Sequence, residues 1–432
     1  MRSPTVTPQL QRSAAPAARD PDGVLTTLAH LIDEDVLREA YRHTRKSSAP
    51  GMDGGTAPTS ADHLDEHRRD VHERLRSGRY QAAPVERVWI EKDDGGQRPI
   101  GTPTCEDTMV QRAVAMRVAA IDEQDFYDGS YGFRQGRSPH EALHELRQRC
   151  MTEGVGWIVD ADGSGDFDSI DRTRRREVLR KRVKEGRMLR LIGTWLRAGV
   201  MEHGALTHPE TGVVQGGVLA PVLANVFLHH VLDAWCAGEG QPRMQGRCFL
   251  MRCADDLVIG CALEVEARTM MAVLPKRFAR FGRTIHPTKT AVMAFRKPEA
   301  HQGSDSGNGT CTFLGLTHDW TTSRQGAWVM KRRTARKRVR RTKQSLWRWC
   351  RTNRHAPLQY QYQMLCAQRR GHFQYDGIRG NFRLLEEGRR CAEQAWRYWL
   401  SRRRSKSSIG WKKFGKLMQT SILPIPRIVH NI

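Results

Sequence analysis

No two of the ten cysteines are spaced C-x-x-C; they are scattered from Cys105 to Cys391. That scatter supplies neither a zinc ribbon nor a redox pair, and it fits reduced thiols in a cytosolic protein. Long apolar runs are missing too. A membrane span takes about 18 consecutive apolar residues, and the nearest stretch, GGVLAPVLANVFL, is shorter and interrupted by Pro221. The opening MRSPTVTPQLQRSAAPAARD lacks the apolar core of a signal peptide. Negative charge is scarce as well: 47 acidic residues stand against 71 Lys and Arg, a net charge of +24. An isoelectric point near 10.1 is hard to reconcile with a small-molecule enzyme that has no polyanionic partner, and nucleic acid is the leading one. The blander reading is an arginine-rich composition on a merely solvated surface.

A chain of 432 residues holds two to four domains at roughly 100–200 residues each. Residues 1–25, rich in Pro, Ala, Ser and Thr without period, read as a flexible tail. From LTTLAHLIDEDVLREAYRHT onward helical spacing sets in, and APVERVWIEKDDGGQRPIGTP alternates around a Gly-Gly turn as a β-hairpin would. Ser138, Pro139 and Glu141 form a capping box that starts a helix near His140. A strand-like VGWIVDAD follows, and mixed α and β patterning continues to TCTFLGLTHDW. Beyond residue 320 the composition shifts: in KRRTARKRVRR eight of eleven residues are basic, and the rest is helical and rich in Arg, Trp and Tyr. The expected division is a tail over 1–25, an α/β region over 26–319 and a helical region over 320–432.

Within this basic chain, FLMRCADDLVIG (residues 249–260) concentrates two carboxylates between apolar runs. Neighbouring side chains on a strand face opposite ways, so Asp255 and Asp256 converge only in a tight turn between two strands. Paired carboxylates repel unless a cation neutralises them, and oxygen donors favour Mg²⁺ or Mn²⁺. The plain alternative is a solvated acidic turn. In WIVDADGSGDFDSID, Asp160 and Asp162 end an apolar strand on one face, before glycines that let the chain pass close to a ligand. Together the two clusters could supply three carboxylates for two-metal phosphoryl transfer. Between them, VVQGGVLAPVLANVFLHHVLD brings Gly216 and Gly217 to the start of a helical pattern. His229 and His230 are not read as metal ligands, because adjacent helical residues do not face one site.

In order, KDDGGQRPIGTPTCEDTMVQRAV, YGFRQGRSPHEAL, VDADGSGDFDSID, VVQGGVLAPVLANVFLHHVLD, MRCADDLVI, IHPTKTAV, TFLGL, HFQYDGIRGNFRLL and LPIPRIVH resemble the motifs of group II intron reverse transcriptases and maturases, over most of residues 35–432. The resemblance implies an α+β right-hand polymerase, with fingers and palm followed by an α-helical thumb and maturase domain X. It implies Asp162, Asp255 and Asp256 as catalytic metal ligands for two Mg²⁺ ions, with Asp160 and Asp168 accessory. It further implies Phe167 as the gate that selects dNTPs. Lys92, Arg98 and Arg87 would meet the triphosphate, Gln215 and Gly216 would line the nucleotide pocket, and Lys289 would serve the departing pyrophosphate. Arg134 and Arg137, just before a capped helix N-terminus, would contact the template backbone. The 331–341 run and RRRSKSSIGWKKFGK would grip RNA, with most of Trp347, Trp349 and Tyr375 going to core.

The implied partners are intron RNA, an RNA template with a DNA primer, dNTPs and target DNA, without a membrane, and a homodimer is compatible with them. The sequence departs from the family where Cys253 replaces the usual tyrosine and Val214 and Ala220 replace the usual proline and serine. Gly163 and Ser164 likewise replace bulkier residues. No HNH endonuclease is expected, so second-strand cleavage by this chain is not. The leading expectation is an RNA-directed DNA polymerase that assists splicing and mobility. Its alternatives are a splicing cofactor with weakened polymerase and a domesticated enzyme of repair or defence.

Overall fold

The computed structural model describes residues 8–20, 23–44, 51–54, 64–91, 96–164, 172–202, 205–207, 216–286, 289–299, 309–403 and 410–432. In chain order its elements are α1 (Pro8–Arg19), α2 (Glu34–Arg42), α3 (Leu64–Ser77), β1 (Val85–Glu91), β2 (Gln97–Thr102), α4 (Cys105–Asp122), α5 (Pro139–Thr152) and β3 (Trp157–Ser164). Next come α6 (Arg172–Leu179), α7 (Gly186–Leu196), β4 (Val200–Glu202), β5 (Ala205–Thr207), α8 (Ala220–Leu228), β6 (Cys248–Cys253), β7 (Asp256–Cys261) and α9 (Glu264–Ala279). The remainder is β8 (Thr284–Ile285), β9 (Ala291–Ala294), β10 (Cys311–Phe313), β11 (Leu316–Thr322), β12 (Trp328–Thr334), α10 (Arg336–Thr352), α11 (Leu358–Asp376), α12 (Phe382–Leu400) and α13 (Trp411–Thr420). Helices and sheets are both present throughout, an α+β chain.

One compact unit comprises residues 1–139, 161–259 and 265–291. Its central helix α4 begins where Thr104 Oγ1 accepts the Asp107 amide at 3.1 Å, with Glu106 and Asp107 in the first turn favouring the helix dipole. Met109, Val110, Val114, Val118 and Ile121 of α4 are buried, each side chain contributing about 1.5–3 kcal/mol on leaving water. The tail expected over 1–25 is corrected here: α1 packs on α4, burying Leu10, Ser13 and Ala17, while Arg117 donates to Ser13 Oγ at 3.0 Å. These positions share one helical face, but two of the three are small, so hydrophobic periodicity does not register it. The expected hairpin is present: β1 and β2 pair antiparallel from Glu86↔Thr102 to Glu91↔Gln97, in a sheet ordered β2-β1-β4-β5. A second sheet runs β6-β7-β3-β8, with β9 also pairing β3, and it carries the acidic motifs.

The other unit comprises residues 140–160, 260–264 and 292–432. Strands β10, β11 and β12 form an antiparallel meander, and α10, α11, α12 and α13 close around Leu346, Leu365, Trp396, Leu400 and Phe414. Trp347 and Trp349 pack against that core, as expected of core aromatics, while half-buried Tyr375 is not among the residues packed there and donates its hydroxyl to Leu314 O at 3.0 Å. The boundary expected at 319/320 is corrected: it falls inside β11, whose pairing with β12 holds both sides of that point in one sheet. The composition shift there marks the approach to a basic helix, not the end of a folding unit.

Candidate active site

The two aspartates of CADD occupy the turn expected for them. Strand β6 ends at Cys253, Ala254 and Asp255 turn, and β7 starts at Asp256, leaving both carboxylate residues exposed. Ala254 sits at φ +59°, a left-handed conformation that costs a non-glycine residue about 1–2 kcal/mol. The surroundings fix it there. A Cβ on Gly132 would lie 2.2 Å from the Ala254 nitrogen, so residue 132 is restricted to glycine by close approach. The Tyr131 amide donates to Arg252 O and the Arg252 amide to Gly129 O, each at 2.8 Å.

Beneath the turn lies a buried ionic network that the sequence reading missed. Arg252, fully buried, donates from Nε and Nη2 to Asp233 at 2.9 and 2.7 Å. It also donates to Asn225 Oδ1 at 3.0 Å, Ser130 Oγ at 2.7 Å and the carbonyl of Ala254 at 3.0 Å. Asn225 in turn donates to Gly132 O at 2.5 Å. One guanidinium thus ties the Asp-Asp turn to α8, to the helical turn His229–Asp233 and to the 129–132 loop. The available signal was a lone arginine within an otherwise apolar strand, FLMRC, which has to bury its charge against a carboxylate.

Asp162 lies on β3, the neighbour of β7, and a Cβ on Gly163 would stand 3.8 Å from Asp255 Cβ. The sheet therefore brings the end of the first acidic motif beside the turn of the second. The main chain at Asp162 is fixed by the His286 amide, which donates to its carbonyl at 2.9 Å. Its carboxylate accepts from Lys289 Nζ at 3.2 Å, and with the lysine side chain 61 % exposed this pair is worth at most about 1 kcal/mol. Among the described residues no three carboxylate, imidazole or thiol groups are gathered closely enough to enclose an ion. Asp160 instead stands near Cys311, whose buried thiol is pushed well up by desolvation and then by that carboxylate. Burial, followed by Asp256, raises the Cys253 thiol to about 11, with Arg252 opposing, so Cys253 is protonated at neutral pH.

The other expected site residues divide. Gly216, at φ +124°, packs so closely on β2 that a Cβ would meet Gly101 O at 2.1 Å, joining the Gly-Gly motif to the hairpin that bears exposed Arg98. Arg87, expected at the triphosphate, is paired with Glu202 at 3.2 Å and stacked over Trp89. Arg134, expected on the template, is corrected: its side chain is 3 % exposed and is bound to Glu123, Tyr127 O and Ser130 O. Its guanidinium organises the loop rather than meeting a phosphate. Arg137 stays at the surface, 3.2 Å from exposed Asp128. Lys92, Phe167, Asp168, Val214 and Gln215 lie outside the described residues.

In the other unit a groove of about 740 Å³ is bordered by Arg333, Arg336, Arg340, Lys343 and Arg383, with Glu387. No described helix is long and apolar enough to cross a membrane.

The acidic β-turn, the acidic strand end beside it and the glycine motif packed on β2 all fall within one stretch of sequence. Residues 90–318 match the sequence model of the reverse transcriptase (RNA-dependent DNA polymerase) family, and the chain belongs to that family. It is 34% identical over 229 residues to Protein YkfC of Escherichia coli, an alignment covering 51% of this chain and 60% of YkfC. To the group II intron-encoded protein LtrA of Lactococcus lactis it is 32% identical over 224 residues, 51% of this chain and 37% of LtrA. A shorter stretch of 95 residues, 22% of this chain and 13% of the relative, is 30% identical to nuclear intron maturase 1 of Arabidopsis thaliana. The chain thus aligns with less than two thirds of the length of these relatives.

Proposed function

We propose that the protein is an RNA-directed DNA polymerase of a group II intron, with fingers and palm followed by a thumb and maturase domain X. In this reading it extends a DNA primer on an RNA template and binds intron RNA to assist splicing. The observation that supports it most is the Asp255–Asp256 turn locked beside the strand of Asp162 in a chain of the reverse transcriptase family. Asp162, Asp255 and Asp256, though not gathered closely enough to enclose an ion as they stand, would hold two Mg²⁺ ions, with Mn²⁺ as a substitute, since their donors are hard oxygens. When bound, such ions would supply activation of the primer hydroxyl and neutralisation of charge on the leaving pyrophosphate.

The chain's own residues orient and neutralise. Lys289 is held to Asp162 by a weak exposed pair and exchanges it at little cost for a pyrophosphate oxygen, where its ammonium offsets charge or donates a proton. Arg98 and Lys92 meet the triphosphate, Phe167 excludes a 2′ hydroxyl, and Gln215 and Gly216 shape the floor of the pocket. Arg137 is the remaining template contact from its loop, while Arg87 positions the hairpin through Glu202. Target DNA and intron RNA are held through phosphates by the basic groove of the second unit and the adjoining helices.

The test is primer extension on poly(rA)/oligo(dT) with Mg²⁺, comparing the wild type with the Asp255→Ala, Asp256→Ala double variant. Extension by the wild type that falls by at least about 10³-fold in the variant, a loss of about 4 kcal/mol, is expected. A folded wild type that binds RNA without extending would sink the polymerase reading in favour of a splicing cofactor. Cys253→Tyr would then be the variant to assay.

A further inference from the structure

A second cationic surface lies in the first unit, around α7. Two concave pockets, of about 310 and 280 Å³, open on either side of this helix. Arg76 and Arg187 line one, Arg176 and Arg180 the other, and Arg190 and Arg197 are shared by both. All six are exposed, and among the described residues none of them has a carboxylate partner; Glu177, the one acid at the rim, is engaged by Arg174 at 3.3 Å. Some exposed arginines elsewhere in this unit are paired, as Arg38 is with Asp35, Arg42 with Glu39 and Arg79 with Glu73, whereas others, such as Arg69 and Arg243, stand singly among the described residues and line neither hollow. Six guanidinium groups without counterions among the described residues, set around two hollows, are a concentration of positive charge that a polyanion relieves. None of Asp162, Gly216, Asp255, Asp256 or Lys289 lines either pocket.

The shape of the surface selects among polyanions. A straight DNA duplex is a convex rod with regularly spaced phosphates, and it does not reach into paired hollows on both sides of a helix ridge. Each hollow is at the lower bound of small-ligand sites, about 300 Å³, which suits one splayed nucleotide. Unpaired loops and bulges of folded RNA present such nucleotides, and arginine planes both stack on bases and fork onto phosphates. We propose that the Arg187–Arg190–Arg197 face of α7 is a docking site for looped segments of folded RNA, separate from the cleft that holds template and primer. It rests on the intron reading above only for the source of that RNA.

The experiment uses the full chain with Arg187→Gln, Arg190→Gln and Arg197→Gln combined, and Arg190→Gln alone as the milder variant. The probes are a folded group II intron transcript and a DNA duplex of matched length, titrated across a salt series. The triple variant is expected to lose about tenfold or more in RNA affinity and to flatten the salt slope by about two to three units, while duplex binding and extension on poly(rA)/oligo(dT) change less than about twofold. The single variant moves RNA affinity the same way by a smaller factor. Arg38→Gln with Arg42→Gln is the paired-arginine control and leaves RNA affinity unchanged. Unaltered RNA affinity in the triple variant, or an equal loss for duplex DNA, overturns the proposal. A wild type without extension removes the polymerase reading and still leaves this affinity comparison readable.

Discussion

Arg252 shows how one buried residue governs the turn above it. Its pair with Asp233 is wholly buried, so removing one partner strands a charge at about 3–5 kcal/mol, and Arg252→Met is expected to lower the melting temperature by many degrees. Replacing both, Arg252→Met with Asp233→Leu, recovers most of that stability, since apolar pairs substitute well for buried ion pairs. Extension stays low in the double variant, because the Ala254 carbonyl and the left-handed turn lose their donor; thermal melts and single-nucleotide extension kinetics check both parts. Asp122 gives a pH test. Burial, then Asp125, raises its carboxyl to about 8 against an opposing Arg182, so the folded state holds a proton that the unfolded state has released above about pH 4. Its contribution is therefore full below the unfolded value and declines as pH rises toward 8, by at most about 1.4 kcal/mol per unit. Urea midpoints at pH 5 and pH 8 are expected to diverge more in the wild type than in Asp122→Asn.

At the scale of elements, the site depends on which strands are neighbours. The order β6-β7-β3-β8 sets a turn and a strand end far apart in sequence side by side, and Gly216, just before α8, packs on β2 without room for a methyl group. Helix α1 is the element most easily underrated from composition. Beyond its packing on α4, it is fastened by Arg182, which donates to Ala17 O, Asp20 O and Gly23 O. Ala17→Glu places a charge at a site only 1 % exposed and is expected to destabilise the unit by about 2 kcal/mol or more, whereas a solvated tail would register nothing. A urea unfolding curve of that variant decides it.

Across the whole molecule, a charge of +24 is distributed between an arginine face in the first unit and a basic groove in the second. In the proposed reading both meet phosphates, so affinity for folded RNA is expected to fall by orders of magnitude between about 50 and 200 mM salt. Filter binding over that range checks it, and a flat response would contradict a phosphate-based grip. Membership of the reverse transcriptase family covers residues 90–318, which takes in the acidic motifs and stops within β11; the basic groove lies largely beyond it.

Much of this was readable one-dimensionally, because the motifs are local. The CADD turn, the β1–β2 hairpin, the start of α5 and the glycine pair each rest on chemistry within a few residues, and so did the general claim on nucleic acid from net charge. What local pattern could not carry was partnership across the chain. Arg134 read as a surface cation because Glu123 lies a helix end away, and Arg252 read as nothing because Asp233, Asn225 and Ser130 reach it only through the packed sheet. The α1 stripe and the sheet spanning the expected boundary at 320 failed for the same reason: small residues and strand pairing leave little periodic signal. Composition and motif order determined the kind of chemistry. Tertiary packing alone decided which charges remain exposed to meet a phosphate and which are consumed in holding the turn, since burial and pairing are properties of neighbours in space.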